Sequence, residues 1–348
     1  MVSTSESGIR FYDARKNTYF VATPDQIRAY APIPDTVLEA ASSCHIWVRD
    51  AINGICTHPG AKGDLRHKKY LSDGLLVGPF SAASGFDLLI VNTDGTLAER
   101  SGNGLTIFSQ FLKDAKIVDG LSPFLVGVHH NNEGVDNPVC AWIEAGTFND
   151  REGFWVDMGL PSFGPEAVGA SADSIGVSLL DGYETNLIHG LRDIDENWTN
   201  SIFVNVGNPH CVTFLKSEQA LPPMERLAAD EWRRKLAMIA NDSEKGENPG
   251  KGRPCRKGMN LQWACVVGPD TVKARVFERG EGPTESSGSS ATAVASAARY
   301  LGAVSGEIIY VDMPGGTAPI RFDVHEGQLE RVMLFGVAIE TQIAEHNA

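Results

Sequence analysis

One short turn occurs twice in this chain, and that repetition constrains the fold more than any other feature. ERSGNGLT at residues 99–106 returns as ESSGSSAT at 285–292, which sets Glu99, Ser101, Gly102 and Thr106 over Glu285, Ser287, Gly288 and Thr292. Identities at one offset arise by chance in a chain of 348 residues, so the shared context carries the weight. Each copy follows a segment that reads as a strand, FDLLIVNTDG or TVKARVFERG, and opens a segment of helical period. Ile107, Phe108, Phe111 and Leu112 share one helical face after the first turn; Ala291, Val294, Ala295, Ala298 and Leu301 share one after the second. A strand, turn and helix built twice predicts two related halves. The small side chains of the second helix predict deep packing against a sheet.

A glycine-rich turn at a helix start leaves backbone N–H groups unpaired, with the positive end of the helix dipole behind them, and such a turn binds an anion. Two of them could hold one carboxylate from both sides. A side chain at each turn would then face the carbon beside that carboxylate, which suits removing a proton from one face and returning one to the other. The plainer reading is that Ser101 and Ser287 are helix caps and that Gly102 and Gly288 only serve a tight turn.

Composition narrows the classes. With 42% hydrophobic and 21% charged residues the chain is globular, with room for two cored domains. A net charge of −14, from 30 Lys and Arg against 44 Asp and Glu, disfavours nucleic acid and anionic membranes and favours a small-molecule ligand. MVSTSESGIR lacks the pattern of a secretory signal and no apolar window approaches a membrane span, so a cytoplasmic location is expected. The six cysteines lack CxxC spacing and read as reduced thiols. Cys44, His45, Cys56 and His58 match no usual zinc spacing, and HHNN at 129–132 reads as a polar loop. No motif implies a metal or an organic cofactor.

Further strands are read at GFWVDMGLP, SIFVNVGNPHCVTFL and RVMLFGVAIET, making the protein β-rich. Two stretches look like insertions. Residues 241–258 form a polar loop rich in Gly and Pro without the GxxxxGK[ST] of a phosphate-binding loop, and residues 34–80 carry more chain than their neighbours need. The halves are expected at 1–122, joined by a returning strand at 332–348, and at 123–331.

The segments KNTYFV (16–21), NTDGTLAERSGNG (92–104), VDMG (156–159), VGNPHCVTF (206–214), GMNLQWACV (258–266), ERGEGPTESSGSSA (278–291) and the final FGVAIE occur in order along the chain. In them the chain closely resembles the diaminopimelate epimerases, amino-acid epimerases that work without pyridoxal phosphate. The resemblance implies an α+β fold of two pseudo-symmetric domains, each a curled sheet around a central helix, with the active site in the cleft between them. It implies that Asn17, Asn92, Asn208, Asn260 and Arg279 contact the non-reacting end of the substrate and that Glu278 holds the amino group. The backbone of Gly102, Asn103, Gly288 and Ser289 would bind the reacting carboxylate, with His210 near the reacting centre.

Two departures bear on the chemistry. The family carries a cysteine in each turn, one acting as thiolate base and the other as thiol acid, whereas here the positions are Ser101 and Ser287. A thiol near pKa ~8.5 is readily tuned, while a hydroxyl lies several units higher and needs a partner base. His210 and Glu99 are the candidates for that basicity, and Cys211 does not replace either thiol. Ser290 stands where the family has glycine; if that position requires positive φ, serine costs about 1 kcal/mol there. An engineer trapping an inactive complex would exchange only the two cysteines, so Ser290 favours natural divergence.

The leading expectation is a cofactor-independent isomerase acting at the α-carbon of an amino acid with a polar or charged far end, diaminopimelate first. Alternatives are a double-bond isomerase or lyase on the same fold, a ligand-binding homologue without chemistry, and an inactivated Cys-to-Ser variant. A homodimer is compatible with these residues and not required by them.

Overall fold

The computed structural model describes residues 8–57, 70–81, 85–132, 136–171, 175–241, 254–255 and 258–342. Most of the expected 241–258 loop, and His58, lie outside the described residues. The chain divides into two compact units, Met1–Asp157 with Phe335–Ala348, and Met158–Leu334. This boundary corrects the expected division at 122/123, and strand pairing explains it. The three strands that follow residue 122 are built onto the first unit's sheet.

In the first unit, β1 (Arg10–Ala14), β2 (Asn17–Ala22), β3 (Gly74–Ser81), β4 (Phe86–Asn92), β5 (Leu97–Ala98), β6 (Phe124–His129), β7 (Val139–Phe148) and β8 (Arg151–Asp157) follow one another. β1 and β2 pair antiparallel, β2 and β3 parallel, β3 and β4 antiparallel, β4 and β6 parallel, and β6, β7 and β8 antiparallel in turn. The short β5 folds back on β4 and leads into the first serine turn.

The second unit begins with β9 (Ser162–Phe163) and the hairpin of β10 (Ile175–Leu180) and β11 (Tyr183–Ile188). β12 (Ser201–Asn205), β13 (Pro209–Phe214), β14 (Asn260–Val266), β15 (Thr271–Glu278), β16 (Gly282–Thr284), β17 (Ile308–Met313), β18 (Gly316–His325) and β19 (Gln328–Gly336) then repeat the first unit's scheme. β12 and β13 are antiparallel, β13 and β14 parallel, β14 and β15 antiparallel, β15 and β17 parallel, and β17, β18 and β19 antiparallel. The short β16 folds back on β15 and leads into the second turn, as β5 does on β4. The repeat seen in eight residues is therefore the visible part of a repeat in topology.

This scheme explains the two apparent insertions. A parallel pair cannot be joined by a tight hairpin and needs a crossover of a dozen residues or more. Residues 23–73 make that crossover between β2 and β3, and residues 215–259 make it between β13 and β14, the same place in each unit. Each crossover covers one face of its sheet. Helix Cys44–Ile55 turns Cys44, Trp47, Val48, Ala51, Ile52 and Ile55 onto Phe20, Leu75, Leu89 and Val91. Helix Asp230–Ala240 likewise places Trp232, Leu236 and Ile239 with Trp198, Leu261 and Trp263.

The two serine helices, Gly102–Asp114 and Gly288–Tyr300, are each 13 residues long. Strands β12, β13, β14, β15, β17 and β18 all touch the second of them, so the sheet curls around it. Between Ala291 and Ala298 that helix is buried on every side, as its small residues predict. The first packs against β1, β2 and β8. Its Thr106 lies so close to Gly336 that a Cβ there would come within 2.2 Å of the Thr106 hydroxyl, which explains the glycine in FGVAIE. No described helix is long and apolar enough to cross a membrane.

Candidate active site

Each turn is built by the same local chemistry. Ser101 is extended, with φ −146°, and its Oγ accepts the N–H of Gly104 at 3.0 Å; Ser287, at φ −154°, accepts the N–H of Ser290 at 3.4 Å. Both are helix caps, as the plainer reading held. The cap answers the third helical N–H and leaves those of Gly102 and Asn103, or of Gly288 and Ser289, without an intrahelical partner. One turn further on, Thr106 Oγ1 donates to the Gly102 carbonyl and Thr292 Oγ1 to the Gly288 carbonyl, both at 2.8 Å. Every aligned identity from serine to threonine thus has a structural duty in both units.

In the second unit the structure joins most of the expected residues. His210 and Asn260 sit opposite each other on the parallel strands β13 and β14, and Asn260 Oδ1 accepts the backbone N–H of Arg279 at 2.9 Å. Glu278 ends β15, half-buried, beside Arg279. Asn208 precedes β13, and its Oδ1 lies 2.8 Å from His210 Nε2. Gln262 Nε2 lies 2.9 Å from His210 Nδ1 and 3.0 Å from Ser290 Oγ. A chain of hydrogen bonds thus runs from Asn208 to the second serine turn.

These contacts change the expected role of His210. Because an amide nitrogen can only donate, Nδ1 accepts from Gln262, and Nε2 carries the proton given to Asn208. Burial, aided by the positive charge of Arg279, pushes the imidazole down to about 3. With both nitrogens engaged and the ring fully buried, His210 does not supply basicity. Cys211 is equally unsuited, since burial pushes its thiol up to about 12. Of the two candidates, Glu99 is the one left: it is half-buried, and its Oε1 accepts from Asn132 Nδ2 at 2.7 Å. Of the HHNN residues only Asn132 has this positioning duty beside the first turn; His129 ends β6 against Asp87 and His130 is buried, which corrects the expectation of a polar loop.

Ser290 corrects a second expectation. It lies inside the helix without positive φ, so the backbone cost does not arise, and its buried hydroxyl accepts from Gln262 instead.

In the first unit Asn17 and Asn92 lie at the same end of the adjacent strands β2, β3 and β4. Asn17 opens β2 and donates from Nδ2 to Asp73 Oδ2 at 3.3 Å, and the backbone N–H of Thr18 donates to the same oxygen at 2.8 Å. Asn92 ends β4 opposite Gly74, and its Nδ2 donates to Thr96 Oγ1 at 2.9 Å. Sequence reading missed Asp73 and Gln262. The signal for Gln262 was a polar residue inside an otherwise apolar run, NLQWACV. For metals, the described residues contain no group of three or more His, Cys, Asp or Glu able to hold an ion.

Comparison with known proteins agrees with this architecture. The family model described as diaminopimelate epimerase matches residues 202–338. The chain is 30% identical to diaminopimelate epimerase 2 of Nostoc sp. over 268 residues, covering 75% of this chain and 78% of the relative. It is 29% identical over 252 residues to the chloroplastic diaminopimelate epimerase of Oryza sativa subsp. japonica, covering 72% and 62%. Among solved structures, a PhzF-family phenazine biosynthesis protein of Bacillus anthracis superposes with TM-score 0.54 at 14% identity, over 96% of both chains. A hydroxyproline epimerase of Agrobacterium vitis does so with TM-score 0.53 at 10% identity, over 96% of this chain and 90% of that one. The structures share the fold, and the sequence relatives fix the family: this chain belongs to the diaminopimelate epimerase family.

Proposed function

We propose that this chain is an isomerase that moves a proton at the α-carbon of an amino acid without an organic cofactor, with diaminopimelate as the first candidate substrate. The observation that carries this reading is the duplicated turn. In both units it occupies the same topological place, opens a 13-residue helix, and leaves the first helical N–H groups to an anion. Charge that develops beside a carboxylate during proton removal is stabilised by such N–H groups whether the neighbouring side chain is a thiol or a hydroxyl. Glu99 supplies basicity at the first turn, and Asn208, Asn260 and Arg279 recognise the far end.

A second reading is a ligand-binding relative without chemistry. What favours it is that among the described residues neither Ser101 nor Ser287 is hydrogen-bonded to a basic side chain. Proton NMR in D2O with the diaminopimelate stereoisomers separates the two. Loss of the α-proton signal, abolished by Ser101→Ala or Ser287→Ala, supports the isomerase; binding without any exchange supports the second reading and overturns the first.

A further inference from the structure

Gln262 belongs to none of the expected site residues, yet it is the middle of the buried chain behind the second turn. Gln262, His210 and Ser290 are all fully buried, so a polar group in this chain that finds no protein partner is costly. The chain can run in two directions. In one, Gln262 donates both Nε2 hydrogens, to His210 Nδ1 and to Ser290; His210 donates from Nε2 to Asn208 Oδ1; and Asn208 turns its Nδ2 hydrogens outward. In the other, the Gln262 amide is reversed, every bond changes direction, Asn208 presents an acceptor, and both Nε2 hydrogens of Gln262 face the position that has no partner, which is the costlier choice. The structure holds the first, with Gln262 Oε1 the atom left without a partner.

We infer that Gln262, anchored by Ser290, is a positioning residue: it fixes the direction of the chain so that Asn208 offers N–H donors to an acceptor on the substrate. This rests on the proposed function, in which Asn208 meets the far end of the substrate. It also gives Ser290 a purpose. A glycine at that position would leave one buried Gln262 hydrogen without an acceptor and the amide without its second anchor. The specificity is directional, because a carboxylate or carbonyl at this point is matched and an ammonium is opposed.

The test uses the full chain labelled with 15N-histidine, with His210 signals assigned by their loss in His210→Gln. Two-bond proton–nitrogen correlations should show a neutral ring protonated at Nε2, unchanged between about pH 7 and pH 5. Gln262→Leu should lose that fixed tautomer and raise KM for diaminopimelate by about tenfold or more, with kcat within about threefold, since Asn208 touches the end remote from the reacting carbon. Gln262→Glu should convert His210 to an imidazolium at neutral pH while keeping the Nε2–H bond to Asn208, and so restore KM toward the original value. A ring protonated at Nδ1 in the unaltered protein overturns the inference, as does a Gln262→Leu variant with unchanged tautomer and KM. If Gln262→Leu does not fold, a His210 that lacks the Nε2 proton in Gln262→Glu overturns it. Absence of α-proton exchange in the unaltered protein overturns the functional reading instead, and the imidazole signals then decide the direction of the chain by themselves.

Discussion

The two serine turns share backbone, cap and threonine, and they differ in what stands around and behind them. In the first unit a glycine follows at the third helical position, the cap bond is 3.0 Å, and the carboxylate beside the turn is Glu99, held by Asn132. In the second a serine occupies the third position, the cap bond is 3.4 Å, Ser289 Oγ lies 3.5 Å from Ser287 Oγ, and the group behind is a neutral imidazole. The two units keep the same capped turn and vary its surroundings. The first turn is the firmer cap, and the second has the more loosely engaged hydroxyl with more hydroxyl neighbours.

The most severe way to break this comparison is to return thiols to both turns. Ser101→Cys with Ser287→Cys should raise α-proton exchange on diaminopimelate by roughly a thousandfold, because a thiol lies several pKa units below a hydroxyl and ionises near neutrality. Each single variant leaves one hydroxyl in place and should recover only a small part of that gain. Exchange rates for the four proteins measure it directly, and no gain in the double variant would point to a different reaction.

The next effect is confined to the second unit. His210 is held neutral when folded and has an ordinary pKa when unfolded, so below about pH 6.5 the unfolded chain binds more protons than the folded one. Its contribution is therefore complete above that pH and is lost as pH falls toward about 3, at up to about 1.4 kcal/mol per unit. Unfolding free energies between about pH 6.5 and pH 5, above the ordinary carboxylate range, should show a slope that His210→Gln removes. Amide exchange over the same range should loosen β13 and β14 before β2 and β3. An equal response in both units would dissolve the contrast.

Exchanging the third helical residue of the turns tests whether each is fitted to its own surroundings. Ser290→Gly removes the acceptor for a buried Gln262 hydrogen and adds a flexible residue to a helix, a loss of about 1–2 kcal/mol. The reverse change, Gly104→Ser, places a Cβ 3.1 Å from Ser101 Cβ and 3.2 Å from its Oγ without any conflict in φ. That crowding should cost about 1 kcal/mol, and denaturant titration of the two variants ranks them.

Much of this was legible in the sequence because the repeat preserves residues with fixed local duties. A serine cap, a glycine and a back-bonding threonine recur at constant spacing, and the small stripe of Ala291, Ala295 and Ala298 announces a helix enclosed by sheet. The unit boundary was not legible, because β6 to β8 are assigned by long-range pairing with β4 and its neighbours, which no local pattern encodes. The crossovers looked like insertions for the same reason, since parallel pairing is what makes them necessary. His210 looked like a base because its burial and its two hydrogen bonds depend on Gln262 and Asn208, one distant in sequence and one near.

The smallest predicted difference is between the caps themselves. A serine Oγ that accepts a helix N–H contributes about 1 kcal/mol relative to alanine, and the contribution weakens as the bond lengthens. Ser101→Ala should therefore destabilise by about 1 kcal/mol and Ser287→Ala by about half of that. Denaturant midpoints, with the slope of each transition checked for constancy, resolve differences of this size. An equal loss would mean that the 3.4 Å bond caps as well as the 3.0 Å one, and the looser engagement of Ser287 could then not explain any difference in reactivity between the turns. An unequal loss in the expected order would tie the freer hydroxyl to the second unit, beside the N–H groups of Gly288 and Ser289.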